Sequence, residues 1–501
     1  MRHLRVPARI IVVPFDQLSR DHGAMRTAEP SNDLILLVRS RAMLASRTWH
    51  AQRLHLVLSA AAHFAQSLRG EGFTVREIEA FSVADGIRET ITEFPDVPVV
   101  ATEPRSRRLR RSFEELNVSC VPDDSFLTPG SLSKNWDGSA LPVMETFYRQ
   151  QRARLNVLMD GDQPIGGRWN FDDENRLPPP KGTHSWPEPL RHELDDIDRQ
   201  IWQELRDSDL RLVGVAPDGT WATTRAGALA QLAFFVEHVL PNFGPYEDAM
   251  PSDTWMVNHS MLSTYLNLGL LSADEVVQAA LGQSDVPIAS REGFIRQVIG
   301  WREYVNAVYW TMDDTYAHSN ALDAHDPLPP AFDDPSRTQM QCVKSTIEDV
   351  HARGWVHHIP RLMILGNLAL IAGVAPRALL QWMRRMFVDA ADWVMEPNVI
   401  GMALYADGGA MTTKPYAGGG AYLKRMSKHC ASCPFDPGKR TGDDACPFTT
   451  LYWDFLHRHD STFRKNPRMS KQLGGFVRLA DRDLIPERAR EVRARLAAGE
   501  L

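Results

Sequence analysis

The chain has 501 residues, of which 43% are hydrophobic and 24% are charged, and its formal net charge is -7. About 150 residues per domain predicts roughly three structural units, and the composition excludes disordered and fibrous classes. Because the chain is acidic overall, a nucleic acid would have to be held by a local basic surface.

The sequence shows neither a membrane span nor a secretory signal. No segment approaches the roughly 18 uninterrupted apolar residues of a membrane span, and the N-terminus lacks the pattern of a secretory signal. The five cysteines are too few and too uneven for a disulfide framework. The sequence therefore predicts a cytoplasmic protein with no membrane partner, and we expect a monomer.

Residues 1–130 alternate short β-branched runs with helical stretches. Five runs predict buried strands: Arg9–Val13, Asp33–Val38, Phe73–Ile78, Pro98–Thr102 and Val118–Val121. Strands separated by helices predict a parallel sheet, with a helix at Leu54–Leu68 over one face. The arginine-rich run Arg105–Arg111 suits a DNA contact and a solvated helix face equally well.

Two further units follow. Residues 131–225 are rich in proline, glycine and charge, including Pro178–Gly182, and predict an interdomain connection. Residues 226–501 predict an all-helical domain, because apolar residues recur three and four apart. The helical runs are Leu229–Leu240, Ser260–Leu270, Glu292–Trp310, Met340–Arg353, Pro360–Ile371, Arg377–Val394 and Pro486–Ala498.

The cysteines indicate a metal site. Cys430, Cys433 and Cys446 form a C-x2-C-x12-C pattern, and Cys342, on a predicted helix, is the only other cysteine in the helical half. Four sulfur ligands suit either zinc or a 4Fe-4S cluster, and unligated core thiols are the least favoured alternative. Cys120, in a predicted strand, is expected to be a plain buried thiol.

Several segments of the helical half resemble a known family. They are His259–Gly269, Gly300–Tyr304, Arg353–Met363, Phe387–Met402, Tyr405–Gly409 and Thr413–Tyr416, with Gly167–Phe171 in the connection. With these segments the chain resembles photolyases and cryptochromes. With its cysteine spacing it resembles the iron-sulfur bacterial branch, which includes prokaryotic (6-4) photolyases and deoxyribodipyrimidine photolyase-related proteins. The similarity extends over essentially the whole chain.

The resemblance implies a fold and a function. The fold would be an α/β, Rossmann-like antenna domain, the connection, and an all-α catalytic domain that binds FAD. The function would be light-driven repair of (6-4) pyrimidine-pyrimidone photoproducts in UV-damaged DNA, by electron transfer from reduced FAD. One alternative is a cryptochrome-like blue-light photoreceptor without repair activity. A weaker one is a cluster-bearing nucleic-acid-binding protein similar to the primase large subunit, which leaves the flavin segments unexplained.

The resemblance also assigns cofactor ligands. Ser260, Leu262 and Ser263 match the flavin phosphate-binding turn, and Arg361 and Asp389 match the ion pair beside the isoalloxazine ring. Asn398 matches the position that faces flavin N5. The implied FAD-binding set also includes Trp301 and Asp392. The implied ligands of a 4Fe-4S cluster are Cys342, Cys430, Cys433 and Cys446.

The implied catalytic residues surround His358. This histidine matches the position that protonates the lesion in (6-4) enzymes, where relatives that cut cyclobutane dimers carry asparagine. His357, Tyr416 and Asp248 match other lesion-pocket positions, although hydrogen bonding within the domain explains Asp248 nearly as well. Candidates for DNA phosphate contacts are Arg176, Lys181 and Lys414.

Two features depart from the family pattern. Trp382 keeps one position of the usual electron route, but Met383 and Asp334 replace expected aromatic residues, so we expect photoreduction to combine Trp382 with Trp355, Trp393 or Tyr405. The antenna region carries Pro14–Ser19 and Arg39 where relatives have a Gly-Asp-Gln-Leu-Ser turn and an acidic residue. Both differences argue against a 6,7-dimethyl-8-ribityllumazine antenna, which the resemblance would otherwise imply.

Overall fold

A computed structural model of the chain describes residues 6–128, 142–182 and 184–501. Its N-terminal part is built on five strands: β1 Arg9–Val12, β2 Asp33–Ser40, β3 Thr74–Ala80, β4 Val99–Thr102 and β5 Ser119–Val121. All neighbours are parallel and lie in the order β3-β2-β1-β4-β5. The direction of winding reverses at β1, which is the doubly wound α/β arrangement. The predicted strands and parallel sheet are confirmed.

Four helices accompany this sheet: Arg41–Ala45, Ala51–Gly70, Val83–Glu93 and Arg107–Glu115. The Ala51–Gly70 helix covers one face and buries Leu56, Ala60 and Leu68 against the sheet and the helical part of the chain. The Val83–Glu93 helix places Ile87 in the core on the other face. Covering both faces is what a parallel sheet of apolar strands requires.

The connection contains the helices Met144–Leu155 and Asp196–Asp207. Three two-residue elements of extended chain, Met159–Asp160, Gln163–Pro164 and Leu212–Val213, accompany them, and the last pairs with Trp49–His50. The predicted boundary at 130/131 lies outside the described residues, so the start of the connection at residue 131 stays a prediction.

The rest of the described chain is helical, which confirms the predicted fold class. Its α-helices are Arg225–Phe234, Ser263–Leu268, Ala273–Leu281, Ile288–Ile295, Glu303–Thr311, Gln341–Arg353, Asn367–Ala372, Pro376–Met386, Asp392–Glu396, Gly420–Met426, Pro447–Arg458, Asp460–Phe463, Ser470–Val477 and Ile485–Ala498. Wide π-helical turns at Phe235–Val239, Arg296–Arg302, Pro360–Gly366 and Pro397–Ala403 interrupt it. Such turns frequently occur at functional sites.

Two predicted helices differ from the structure. The run Arg377–Val394 is two helices, because the chain turns between Met386 and Asp392 and the Val388 N–H donates to the Gly354 carbonyl at 2.8 Å. The run Ser260–Leu270 is helical only from Ser263 to Leu268. Both breaks position side chains of the site described below.

Over the described residues, every helix is too short or too polar to traverse a lipid bilayer.

Arginines join the sheet to the helical part. Arg105 is 4% exposed, donates to Asp123 Oδ2 at 2.7 Å and reaches the Asn267 carbonyl at 3.1 Å. Arg107 donates to Glu396 Oε2 at 2.9 Å. Arg105 and Arg107 therefore do not lie on a solvated helix face, whereas Arg108 and Arg111 of the same run are exposed, and a DNA contact of this run stays a prediction.

The turn before the first helix adds a backbone contact. The Leu18 N–H donates to the Leu268 carbonyl at 2.8 Å. Gly269 ends the Ser263–Leu268 helix with φ +82°, and a Cβ there would lie 2.9 Å from the Leu18 nitrogen. Glycine is thus required both by the left-handed backbone and by the close approach.

Cys120 differs from its prediction. It lies in β5 as expected, but its side chain is exposed rather than buried. The reason is that β5 is the outermost strand of the sheet, where one side is not covered by a neighbouring strand.

Candidate active site

A buried ion pair lies where the chain breaks between Met386 and Asp392. Arg361 Nη1 and Nη2 donate to Asp389 Oδ1 and Oδ2, both at 3.0 Å, and Asp389 is 5% exposed. Ser263 Oγ donates to Asp389 Oδ2 at 2.7 Å, and Asn267 Nδ2 donates to the Asp389 carbonyl at 2.7 Å. A two-pronged arginine–carboxylate pair with further donors is a strong, geometrically fixed arrangement. The structure thus brings predicted residues Arg361, Asp389 and Ser263 together.

Three histidines, here called the histidine stack, lie near this pair: His259, His357 and His358. The rings of His259 and His357 are parallel within 19°, with centroids 4.3 Å apart. The His358 ring meets that of His259 edge-on at 5.4 Å. His259 and His357 are buried, whereas the side chain of His358 is 45% exposed.

Burial controls the charge of the stack. Desolvation, and then the charge of His358, lower the pKa of His259 well below its ordinary value. Desolvation, and then the charges of His259 and His358, lower the pKa of His357 in the same direction. Both rings are therefore neutral imidazoles at neutral pH. The third histidine is the member that solvent or a ligand can reach.

An acidic and aromatic group surrounds His358. Its Nε2 lies 3.4 Å from Asp248 Oδ1. Burial chiefly raises the pKa of Tyr416, and the charge of Asp248 raises it further. The structure therefore brings the predicted lesion-pocket residues His357, His358 and Asp248 together, and Tyr416 is linked to them through the charge of Asp248.

Glu247 is a buried carboxyl next to this group. It is 6% exposed, and Gln297 Nε2 donates to its Oε1 at 2.7 Å. Burial raises its pKa to about 7, while Arg296 and His358 act in the lowering direction. Neither Glu247 nor His259 was predicted from the sequence to be a site residue. Each residue directly precedes a predicted site residue in the sequence, Glu247 before Asp248 and His259 before Ser260, and that position was the only sequence feature that could have indicated it.

The turn before the Ser263–Leu268 helix contains buried polar atoms that have no hydrogen-bond partner within the described residues. They are Asn258 Nδ2, His259 Nε2 and Thr264 Oγ1, joined by His357 Nδ1 from the stack. Each such group costs about 1–3 kcal/mol when it is left unpaired. Together with the hydroxyls of Ser260 and Ser263, these donors and acceptors fit a polar cofactor such as the FAD that the resemblance implies.

Four predicted residues make other contacts. Asn398 Nδ2 donates to the Val394 carbonyl at 2.8 Å. Asp392 pairs with Arg384 at 3.0 Å. Trp301 meets Tyr304 edge-on at 6.2 Å. Leu262 is 1% exposed in the core.

The two predicted electron-transfer tryptophans lie in different surroundings. Trp382 Nε1 donates to the Phe332 carbonyl and to Asp333 Oδ1, both at 3.1 Å. Its ring lies 6.0 Å from Phe387, whose own ring lies 4.1 Å under the Arg361 guanidinium. Trp393 instead packs edge-on against Phe126 at 5.1 Å. Trp382 is thus the one linked by ring contacts to the ion pair.

The four predicted cysteine ligands, Cys342, Cys430, Cys433 and Cys446, line one small cavity. Burial raises the pKa of Cys342 well above its ordinary range, and it raises that of Cys446 to about 11. Among the residues that the structure describes, no three cysteine sulfurs lie within 4.8 Å of one another. A single tetrahedral zinc ion with Zn–S bonds of about 2.3 Å would hold them roughly 3.8 Å apart. The cysteine sulfurs of the described chain are therefore not gathered at the spacing of one zinc ion.

The antenna and DNA candidates are also placed. Arg39 Nη1 donates to Glu204 Oε2 at 3.1 Å. Arg176 pairs with Asp172, and its charge lowers the pKa of Tyr416. Lys181 and Lys414 are exposed.

Solved structures of two other proteins share the fold. A bacterial class III photolyase from Agrobacterium tumefaciens superposes with a TM-score of 0.59 at 16% identity, covering 99% of both chains. The cryptochrome of a Synechocystis species superposes with a TM-score of 0.56 at 13% identity, covering 98% of this chain and 100% of that one. At these identities the likeness shows the photolyase and cryptochrome fold alone.

Sequence relatives identify the family. A family model described as "Deoxyribodipyrimidine photo-lyase-related protein" matches residues 11–221. A protein named (6-4) photolyase from Agrobacterium fabrum is 37% identical over 496 residues, which span 95% of this chain and 96% of that protein. The chain therefore belongs to the bacterial cryptochrome and photolyase family.

Proposed function

We propose that the chain is a light-driven DNA repair enzyme that acts on (6-4) pyrimidine photoproducts. One observation carries the proposal: a partly exposed imidazole, His358, stands against a carboxylate, Asp248, beside two neutral buried histidines. The name of the Agrobacterium fabrum relative supports the same activity.

FAD would be held by the turn and the ion pair. Ser260 and Ser263 would face its phosphates, Arg361 and Asp389 would set fixed charges beside its ring, and Asn398 would contribute an amide. Leu262, Trp301 and Asp392 complete the proposed set. Bound FAD in its reduced form supplies the electron that light transfers to the lesion.

His358 would act as the general acid of the reaction. Returning a hydroxyl from one pyrimidine to the other requires an acid, and a protonated His358 can donate to that oxygen and later recover the proton. Asp248 stabilises the imidazolium by charge. His259 and His357 remain neutral, so they hold the ring of His358 in place without competing as acids. Tyr416 would contribute a buried hydroxyl to the wall of the pocket.

The flipped lesion would enter beside this group. Extrusion from the duplex costs least for a damaged, poorly stacked base. Arg176, whose charge acts on Tyr416, would contact a DNA phosphate, and Lys181 and Lys414 would extend this surface. Domain limits at 130 and 225, a monomeric state and a cytoplasmic location remain parts of the proposal.

For the cysteine cavity we propose a 4Fe-4S cluster rather than zinc. Two points support this choice. Among the described residues, no three cysteine sulfurs lie within 4.8 Å of one another, which is wider than the spacing around one zinc ion. Buried thiolates also need positive charge to offset their desolvation. The test is the iron and acid-labile sulfide content of the anaerobically purified chain. We expect four of each, and Cys433→Ser should reduce both; stoichiometric zinc without sulfide would contradict the cluster.

Repair itself is tested with an oligonucleotide that carries one (6-4) photoproduct, in light and in darkness. We expect the wild type to restore the two pyrimidines only in light. His358→Ala should be about 10²–10⁴-fold slower at unchanged FAD content, as expected for the loss of a general acid. His238→Ala is the matched control, because that side chain is 53% exposed and the stack does not include it.

The outcomes separate the possibilities. Repair by His358→Ala at the wild-type rate would remove His358 from the mechanism. If the wild type binds FAD but repairs nothing in light, the photoreceptor interpretation replaces the enzyme.

A further inference from the structure

A second group of ligand-type side chains lies on the connection, apart from the proposed repair site. His63 comes from the Ala51–Gly70 helix, and Asp195 and Asp198 come from the start of the Asp196–Asp207 helix. One potential ligand atom from each of the three residues lies within 4.8 Å of the other two. We propose that these three residues, here called the Asp–His cluster, bind a divalent transition-metal ion, with zinc as the best match.

The distances favour a shared ion over direct hydrogen bonds. His63 Nε2 lies 3.6 Å from Asp195 Oδ1 and 3.5 Å from Asp198 Oδ1. Hydrogen bonds between such atoms are normally about 2.7–3.2 Å long. Ligands at about 2.0–2.1 Å from a tetrahedral zinc ion stand roughly 3.3 Å apart. The observed separations are close to that spacing.

Unpaired buried atoms are the independent observation. Asp198 is 2% exposed and His63 is 9% exposed, and both Asp198 Oδ1 and His63 Nε2 lack a hydrogen-bond partner within the described residues. These are the atoms that face each other across the cluster. The imidazoles of His63 and His55 lie 3.5 and 3.8 Å from Asp198 Oδ1, beyond the length of a normal hydrogen bond, and a cation between His63 and Asp198 satisfies both groups.

The start of the helix fixes the carboxylates. Asp195 Oδ1 accepts from the Asp198 N–H at 3.1 Å, and Asp198 Oδ2 accepts from the Asp195 N–H at 3.2 Å. This reciprocal cap holds both side chains while it leaves Asp198 Oδ1 free. Hydrogen bonds to the ligands orient metal sites in the same way.

A cavity of about 290 Å³ lies against both carboxylates. Its lining includes His192, Thr223 and Thr224, and His192 Nε2 is another buried atom without a partner in the described chain. His55 Nε2 lies 3.8 Å from Asp198 Oδ1 on the helix side. The cavity gives the ion a route of entry and room for a water molecule in the fourth position.

The ion would tie two parts of the chain together. The helices that carry its ligands already pack through Leu54 and Leu58 on one side and Ile201 and Leu205 on the other. One imidazole and two carboxylates suit zinc better than the softer or harder alternatives, because imidazole disfavours calcium and magnesium and the absence of thiolate disfavours copper(I). We infer a structural staple between the α/β part and the connection.

The test measures zinc in the full chain. Chelator-treated protein is equilibrated with Zn²⁺, and zinc and iron are quantified together by mass spectrometry. His63→Gln should bind one zinc ion fewer than the wild type. Asp195→Asn should weaken that zinc site about tenfold or more, yet keep the helix cap, because asparagine caps as well as aspartate. Asp196→Asn, whose side chain is 99% exposed, is the matched control and should equal the wild type.

Other sites cannot imitate this pattern, because zinc bound by the cysteines or the histidine stack is common to all four proteins. If His63→Gln fails to fold, the comparison of Asp195→Asn with Asp196→Asn still decides. In addition, Zn²⁺ should raise the unfolding temperature of the wild type more than that of Asp195→Asn. Equal zinc content and equal temperature shifts in all variants would reduce the cluster to an ion pair and overturn the proposal.

Discussion

The histidine stack and the Asp–His cluster have the same kind of geometry but differ in charge. In each, one ligand-type atom from each of three residues lies within 4.8 Å of the others. The stack consists of three imidazoles with one carboxylate at its edge, whereas the cluster surrounds one imidazole with two carboxylates. Buried imidazoles shed their protons, and paired carboxylates attract a cation. This difference in side-chain composition is why we propose a proton-transfer role for the stack and a metal site for the cluster.

The largest effect on stability is expected from neutralising Asp389, the carboxylate of the buried ion pair with Arg361. Asp389→Asn would leave Arg361 buried without its counter-charge, which should lower the free energy of unfolding by about 3–5 kcal/mol. Urea denaturation measures the loss. Asp392→Asn is the control and should change stability by less than about 1 kcal/mol, since Asp392 is half exposed and Arg384 keeps Glu396 at 2.6 Å. Equal losses would show that the ion pair has no special role.

The second largest expected effect is a loss of stability in acid, caused by the two buried histidines of the stack. Because the folded-state pKa values of His259 and His357 are lowered, the unfolded chain takes up protons below about pH 6.5 that the folded chain refuses. Stability is therefore lost as pH falls, by about 1.4 kcal/mol per pH unit for each histidine. Glu247 has the opposite effect on stability, because its pKa is raised to about 7. Between the ordinary pKa of a glutamate and about pH 7, the folded chain binds a proton that the unfolded chain does not, so this contribution to stability grows as pH falls.

A variant isolates the contribution of one ring. His357→Phe keeps an aromatic ring against His259 and removes one titrating group. Its unfolding free energy should fall by about 1.4 kcal/mol less than that of the wild type over the whole interval from pH 7.5 to 5.5. Parallel curves would place the acid sensitivity outside the stack.

A smaller effect should follow from the carboxylate at the edge of the stack. Asp248→Asn keeps the shape of the side chain but removes the charge that faces His358 at 3.4 Å. Losing one charge-assisted contact of about 1 kcal/mol should slow repair roughly fivefold, at unchanged FAD content. Single-turnover repair rates measure it. An unchanged rate would return Asp248 to a purely structural role.

The sheet was the part most fully predicted from sequence. Arg9–Val13 was predicted and Arg9–Val12 is found, because strands buried on both faces appear as short apolar runs. The exposure of Cys120 was not predicted, since no local pattern tells an edge strand from a central one. The order of strands decides it, and that order depends on contacts across the whole sheet.

The site was predicted through resemblance, and its wider surroundings were not. The helical spacing of Arg377–Val394 continues across Asp389, so the break that turns this side chain inward depends on Gly354 and Arg361, which lie elsewhere in the chain. The place of His259 in the site could not be predicted, because it depends on the stacking of its ring on that of His357, which is distant in sequence. Arg105 and Arg107 looked like surface charge because their acidic partners are distant in sequence.

The contacts of Asn267 bear on how the molecule can be divided. Its side chain supports the Asp389 carbonyl, while its own carbonyl accepts from Arg105 of the N-terminal part. A truncated protein starting at Arg225 would lose Arg105 and also Arg107, the partner of Glu396. The α/β half therefore acts as a scaffold for the catalytic half, and excised fragments should not be expected to retain the site.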